Sequence, residues 1–107
     1  MANVEIRRAG ECATVIPSGD VVASSVPELR AAMRELVREG VREMNFELAS
    51  AQMIDSTGIG LLLSAYNSLS QAGGKFAVTE ASPDIEELLR TMRVHQHFSV
   101  SGRKGPQ

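Results

Sequence analysis

Six consecutive residues, Asp55-Ser56-Thr57-Gly58-Ile59-Gly60, concentrate the chemistry this sequence offers. Three short polar residues and two glycines at the head of a leucine-rich run have the make-up of a helix N-terminus. Asp55 or Ser56 can cap it, and the first helical N–H groups can face an anion. Gly58 and Gly60 each weaken a helix by about 0.8–1 kcal/mol relative to Ala. Two of them in the first turns therefore imply that another part of the chain, such as a neighbouring helix, comes close to this backbone.

Each enzymatic reading of the cluster fails on spacing. A dinucleotide fingerprint needs G-x-G-x-x-G directly after a strand, and the third glycine position is Leu63. An aspartic protease needs Asp-Thr-Gly or Asp-Ser-Gly in an all-β dimer, whereas here one residue intervenes and a helix follows. A serine hydrolase would set Ser56 in G-x-S-x-G with a histidine base, but the outer neighbours are Ile54 and Gly58. His95 and His97 lie two apart, on one face of any strand there. Neither Cys nor carboxylate accompanies them at ligand spacing and Cys12 is distant, so they read as a partly exposed edge pair and no metal is assigned. No cofactor is expected, and without a base and nucleophile at usable spacing the chain does not read as an enzyme.

The elements that must position the cluster follow from periodicity. Val4 and Ile6 alternate with Glu5 and Arg7, Ala9-Gly10-Glu11 supplies a turn, and Ala13-Thr14-Val15-Ile16 is β-branched, so residues 3–18 read as a hairpin. Ser25 with Glu28 three positions on is a capping box with Pro27 inside the first turn. Val26, Leu29, Met33, Leu36 and Val37 then recur at helical spacing up to an αL C-cap at Gly40. Met44, Phe46 and Leu48 alternate as a third strand. A buried helix begins around Thr57 and stops at Gly73-Gly74, and Phe76-Ala77-Val78 gives a fourth strand. Ser82-Pro83-Asp84 opens a third helix with Ile85, Leu88, Leu89 and Met92 toward the core, and Phe98 and Val100 suggest a weak fifth strand. Helix and strand alternate after the hairpin, which predicts an α/β fold: a mixed, mostly parallel sheet with an N-terminal antiparallel hairpin, packed by helices.

Composition narrows the partners. A chain of 107 residues is one domain, expected over residues 1–100, with a polar, Gly- and Pro-containing tail over 101–107 read as disordered. Eleven Lys and Arg against thirteen Asp and Glu leave no basic surplus for a phosphate backbone, so nucleic acid is not expected. Aromatic residues are 4% of the chain, too few for base-stacking platforms. One cysteine forms no internal disulfide, the N-terminus lacks the apolar run of a signal peptide, and no stretch approaches the roughly 20 apolar residues of a membrane span. A cytoplasmic protein without membrane insertion is expected. Helix faces rich in Arg and Glu leave no surplus apolar stripe, which predicts a monomer when free.

The order hairpin, helix, strand, D-S-[ST]-G-[LIV]-G, helix, Gly-Gly, strand, Ser-Pro helix resembles the STAS domains, and specifically the stand-alone bacterial anti-sigma-factor antagonists. The resemblance runs from about residue 4 to 100. It is carried by Met53-Ile54-Asp55-Ser56-Thr57-Gly58-Ile59-Gly60, by Gly73-Gly74-Lys75 and by Ser82-Pro83. It implies that Ser56 is phosphorylated by a partner that is both serine kinase and anti-sigma factor, and that a metal-dependent serine phosphatase resets it. The implied partner surface takes Asp20, Val22 and Ser24 from one loop and Met53, Asp55, Ser56, Thr57, Gly58 and Ile59 from the other. Two departures stand out. Gly19-Asp20-Val21-Val22 replaces the usual Gly-Glu-Leu-Asp, putting Val22 where the family has a loop aspartate, and the family's C-terminal helix has no counterpart.

The implied switch makes physical sense. A phosphate at a helix N-terminus gains roughly 0.3–1 kcal/mol from the dipole, so modification need not unfold the domain. In a dry interface the same group adds about -1.5 to -2 charge beside Asp55. A loss of ~3–4 kcal/mol of binding would lower affinity by roughly two to three decades. Asp55 reads either as a simple cap or as an acceptor that orients the Ser56 hydroxyl or takes its proton. Two other roles fit the same fold: a STAS subunit of a transporter or lipid-trafficking complex, and a nucleotide-binding STAS module using the helix N-terminus as its anion site.

Overall fold

Hydrophobic alternation sets the sheet and glycine sets its corners. The computed structural model describes residues 4–103. Strand β1 (Val4–Ala9) turns through Gly10 and Glu11 into β2 (Cys12–Pro17), and α1 (Val26–Arg38), β3 (Glu43–Glu47), α2 (Ser56–Gln71), β4 (Lys75–Ala81), α3 (Pro83–Thr91) and β5 (Ser99–Gly102) follow. Gly10 has φ +62° and Glu11 does not share the positive φ, the pattern of a two-residue type II′ hairpin turn.

The five strands lie in chain order, β1-β2-β3-β4-β5, with β1 antiparallel to β2 and the remaining neighbours parallel. Sequential parallel strands joined by right-handed crossovers put all three helices on one face. Burial agrees: Ala13, Val15, Met44, Phe46, Phe76, Val78 and Val100 are buried under the helices, in one cluster with Leu29, Met33, Leu62, Leu69, Ile85 and Leu89. The alternate residues Thr14, Asn45, Glu47, Ala77, Thr79 and Ser99 face the other way and are half-buried or exposed. The parallel strands therefore read with period two, because only one face is covered. The predicted fold class is the one observed.

Details differ at the element ends. The Ser25–Glu28 capping box does not form: Ser25 is the N-cap but has helical φ/ψ, and its hydroxyl turns back to accept from Val22 N–H and donate to Asp20 O. At the far end Gly40 and Val41 N–H donate to Val37 and Leu36 carbonyls, a Schellman closure, with Gly40 at φ +103° as predicted for that glycine. Leu88 and Met92 were expected in the core, but they are 36% and 54% exposed; α3 is short and sits at the sheet's end, where Ile85 and Leu89 alone reach the interior. His95 and His97 lie in a 3₁₀ turn and the residue after it, not on a strand, and the His97 ring stands 5.8 Å from that of Tyr66.

Residues 101–103, read from the sequence as part of a tail, are built into the domain. Ser101 and Gly102 belong to β5, and Arg103 fastens itself to the domain. Lys104 to Gln107 lie outside the described residues. Among the described residues no helix is long and apolar enough to cross a membrane.

Candidate functional site

Two loops build the site. The chain leaves β2 and crosses residues 18–25 to α1, and it leaves β3 and crosses residues 48–55 to α2. Because β2 and β3 are parallel neighbours, both loops emerge at the carboxyl ends of their strands, side by side. They are sewn together by a short parallel bridge between Val21 and Ile54. Val21 N–H donates to Met53 O at 3.1 Å and Asp55 N–H to Val21 O at 3.3 Å. The Val21 and Ile54 side chains are both buried beneath the bridge.

Two carboxylates complete the stitching. Asp20 Oδ1 accepts from Gln52 N–H at 2.8 Å and Met53 N–H at 3.1 Å. In the opposite direction Asp55 Oδ2 accepts from Ala23 N–H at 3.0 Å, while Oδ1 caps α2 by accepting from Gly58 N–H at 2.9 Å. These backbone donors, Gly58 first and with Ala23 and Thr57 adding to it, hold the Asp55 carboxyl below its ordinary value of 3.8 against the opposing effect of desolvation. Of the two roles the sequence left open for Asp55, the geometry carries the cap. With both oxygens engaged by backbone N–H groups and its proton affinity lowered, the carboxylate is a poor acceptor for a neighbouring hydroxyl's proton.

Gly58 accounts for the close approach, though not by a helix. A Cβ there would stand 2.4 Å from Val21 O and 2.6 Å from the Ile54 side chain, so α2 begins against the loop that Val21 occupies. Gly60 differs: it is exposed, and a Cβ would meet nothing within 4 Å. One turn beyond Ser56 on the same side of α2, it leaves bare backbone beside the serine.

Ser56 is the first residue of α2 and is exposed, as is Thr57. Met53, 55% exposed, stands just upstream, and the exposed Asp20 and Ser24 and half-buried Val22 border the cluster from the other loop. Seven of the nine residues expected at the partner surface are thus gathered at one end of the sheet with some surface. Gly58 and Ile59 are not available as surface: both are buried, the glycine against Val21 and the isoleucine at 7% exposure in the core cluster. They support the site from below.

Three positioning groups were missed by sequence reasoning. Ala23 and Gln52 act through backbone N–H groups, which no side-chain type announces. Arg103 donates through Nη2 to the Leu48 and Ala51 carbonyls at 3.0 and 2.7 Å, and through Nε to Glu80 O at 3.1 Å, fixing the root of the 48–55 loop. Its only signal was a lone arginine in a polar terminal stretch.

Comparison with known proteins places this geometry. A curated relative from Paenibacillus polymyxa, named anti-sigma F factor antagonist, is 30% identical over 73 residues, 67% of this chain; the match spans 62% of the relative's length, less than two thirds. A candidate anti-sigma factor antagonist from Thermotoga maritima superimposes with a TM-score of 0.86 at 15% identity, covering 92% of this chain and 85% of that one. The Bacillus cell fate determinant SpoIIAA in its phosphorylated form superimposes with a TM-score of 0.74 at 16% identity, over 91% and 89% of the two chains. The STAS domain family model matches residues 3–103, and the chain belongs to that family.

Proposed function

We propose that this protein is an anti-sigma factor antagonist that works by partner switching, with Ser56 as the switch. Unphosphorylated, it binds a serine kinase that is also the anti-sigma factor; phosphorylated on Ser56, it lets go; a serine phosphatase resets it. The observation that carries the reading is the exposed Ser56 at the first position of α2, on a platform fixed by the Asp20 and Asp55 clamps and rimmed by Met53. The name of the Paenibacillus polymyxa relative supports the antagonist role. That the SpoIIAA neighbour exists in unphosphorylated and phosphorylated forms, both with this fold, supports a switch that leaves the domain folded.

In the proposed step the Ser56 Oγ attacks the γ-phosphorus of ATP, the new P–O ester forms as the bond to ADP breaks, and the hydroxyl proton goes to a base on the kinase, since Asp55 is occupied as a cap. The dianion then sits at the positive end of α2, which tolerates it, while the partner's dry contact with Met53 and Ser56 does not. Val22, half-buried where relatives of this type are expected to carry a loop aspartate, leaves Ala23, Ser24 and Met53 beside Asp20 as the loop surface, with one carboxylate fewer. That surface suits a less charged contact.

Phosphosite mapping of the protein from its native cells, with identification of what copurifies, tests the reading. The expected result is phosphate on Ser56 rather than Thr57, a serine kinase bound only to the unmodified form, and a Ser56→Ala variant that ATP does not release. A bare Ser56 in every condition, with a transporter ATPase in the eluate, would replace it with the structural-subunit role.

A further inference from the structure

The two edges of the sheet are built differently, and the difference concerns a second copy of this chain. Edge strand β5 is four residues long and its pairing with β4 is broken by a register shift beside Glu80, which sits at φ +60°. Irregularity of this kind blunts an edge against further pairing. Edge strand β1 has none of it: six residues pair with β2 in unbroken register, with no proline and no bulge.

The hairpin fixes which backbone groups of β1 face outward. Ala9 and Cys12 flank the two-residue turn and form the hydrogen-bonded pair that closes it; alternation makes Arg7–Thr14 and Glu5–Ile16 hydrogen-bonded pairs as well. The N–H and C=O groups of Val4, Ile6 and Arg8 therefore point away from the sheet. A second strand can add only by pairing with these even-numbered residues. Between two antiparallel copies of β1, three registers pair at least two of these residues with their counterparts; pairing Val4 with Val4 or Arg8 with Arg8 overlaps the strands at a single such position. Pairing Val4 with Ile6 sets Glu5 opposite Glu5 of the other copy, and pairing Ile6 with Arg8 sets Arg7 opposite Arg7, both like-charge contacts. Pairing Ile6 with itself sets Glu5 opposite Arg7 twice over, at the closely spaced non-hydrogen-bonded positions, and brings together two Ile6 side chains that are each 39% exposed.

Charge placement within the strand agrees. Glu5 and Arg7 lie on the face without helices and already touch, Arg7 Nε to Glu5 Oε2 at 2.8 Å, so the two-fold related pair completes a square of alternating charge. Arg8, the cation that would oppose Val4, is drawn back over α1 by Glu39 Oε1 at 2.6 Å and the Glu39 carbonyl at 2.9 Å. We propose that β1 is a self-association edge: two copies pair antiparallel about a two-fold axis at Ile6, joining their sheets, with Glu5 and Arg7 selecting the register. The expectation of a free monomer came from helix faces with no apolar stripe, and strand pairing needs none. Two six-residue strands bury less than the roughly 1,200 Å² of small stable interfaces, so the association is weak and concentration-dependent.

Sedimentation equilibrium from about 10 µM to about 1 mM tests this. The wild-type chain is expected to shift from monomer to dimer across that range. Glu5→Arg and Arg7→Glu each replace two attractive cross-strand contacts with two repulsive ones, and each alone should weaken dimerisation at least about tenfold. An equimolar mixture of the two variants restores opposite charges at both contacts and should dimerise again, as should the double swap in one chain. Both side chains are exposed, and circular dichroism verifies that each variant stays folded. A wild-type chain that remains monomeric throughout, a dimer indifferent to the single reversals, or a mixture that fails to recover would each overturn the proposal.

Discussion

Asp20 and Asp55 clamp one another's loops: Asp20, before α1, holds the backbone of Gln52 and Met53, while Asp55, before α2, holds the backbone of Ala23. Each carboxylate spans the gap in the opposite sense, with the Val21–Ile54 bridge between them. The exposed Ser56 is thereby fixed to two strands rather than one.

Reciprocal clamping predicts coupling. Asp20→Ala frees the Gln52 and Met53 amides directly, and through the shared bridge it should also speed exchange at Ala23. Asp55→Ala should do the converse. Amide hydrogen exchange is expected to rise at least about tenfold in the loop whose own aspartate is intact as well as in the other, and the double variant should show less than the combined effect. Effects confined to the directly bonded amides would mean that the two loops open independently.

The same geometry sets the sign of one acid dependence. Asp55 is held below 3.8 by the Gly58, Ala23 and Thr57 N–H groups, so in the folded state it binds its proton less readily than in the unfolded chain. Its contribution is fully present above the unfolded value and is lost as pH falls through the lower folded value. Wild-type stability should therefore drop more steeply below about pH 4 than that of Asp55→Asn, with the two curves parallel above about pH 5. Thermal melts across pH 2–6 measure the difference.

The two glycines of the motif should respond oppositely to alanine. At Gly58 the new methyl group would press on the Val21 carbonyl and the Ile54 side chain, forcing α2 away from the neighbouring loop at a cost of at least about 2–3 kcal/mol. At Gly60 it enters open space in a helix, so removing glycine's conformational freedom should stabilise by about 0.5–1 kcal/mol. Urea unfolding of both variants measures the pair. Equal effects at the two positions would contradict the packing described for α2.

What the sequence revealed, and what it hid, divides along physical lines. The mostly parallel sheet and the three helices were legible because Ala13 and Val15, Met44 and Phe46, and Phe76 and Val78 repeat with strand period and Leu29, Met33 and Leu36 with helix period, and because the Gly40 and Gly73-Gly74 stops are backbone requirements. The Asp55 cap was legible because capping depends on side-chain type and position. The Ser25 box was misread because the preceding turn offered its hydroxyl nearer partners in Val22 and Asp20. The clamps were hidden because their donors are backbone groups brought together across some 30 residues, and Leu88 and Met92 misled because helical spacing does not say how much of a short helix's face the sheet reaches.

Arg103 was hidden for the same reason, and it supplies the last prediction. The Leu48 and Ala51 carbonyls at the root of the 48–55 loop, and that of Glu80 at the β4 irregularity, converge on the Arg103 guanidinium. A guanidinium carries several N–H donors in a rigid fork, so one side chain serves all three, while Arg103 N–H closes on Ala81 O. Arg103→Ala should cost about 1.5–3 kcal/mol, more than an exposed arginine ordinarily contributes. Arg103→Lys should recover less than half of that, because an ammonium cannot reach carbonyls spread around a planar fork. The loss should also appear as faster amide exchange at Ala51, whose N–H donates to Leu48 O within the same loop. A variant as stable as wild type, with Ala51 exchange unchanged, would mean that the loop's own backbone bonds hold it without the arginine.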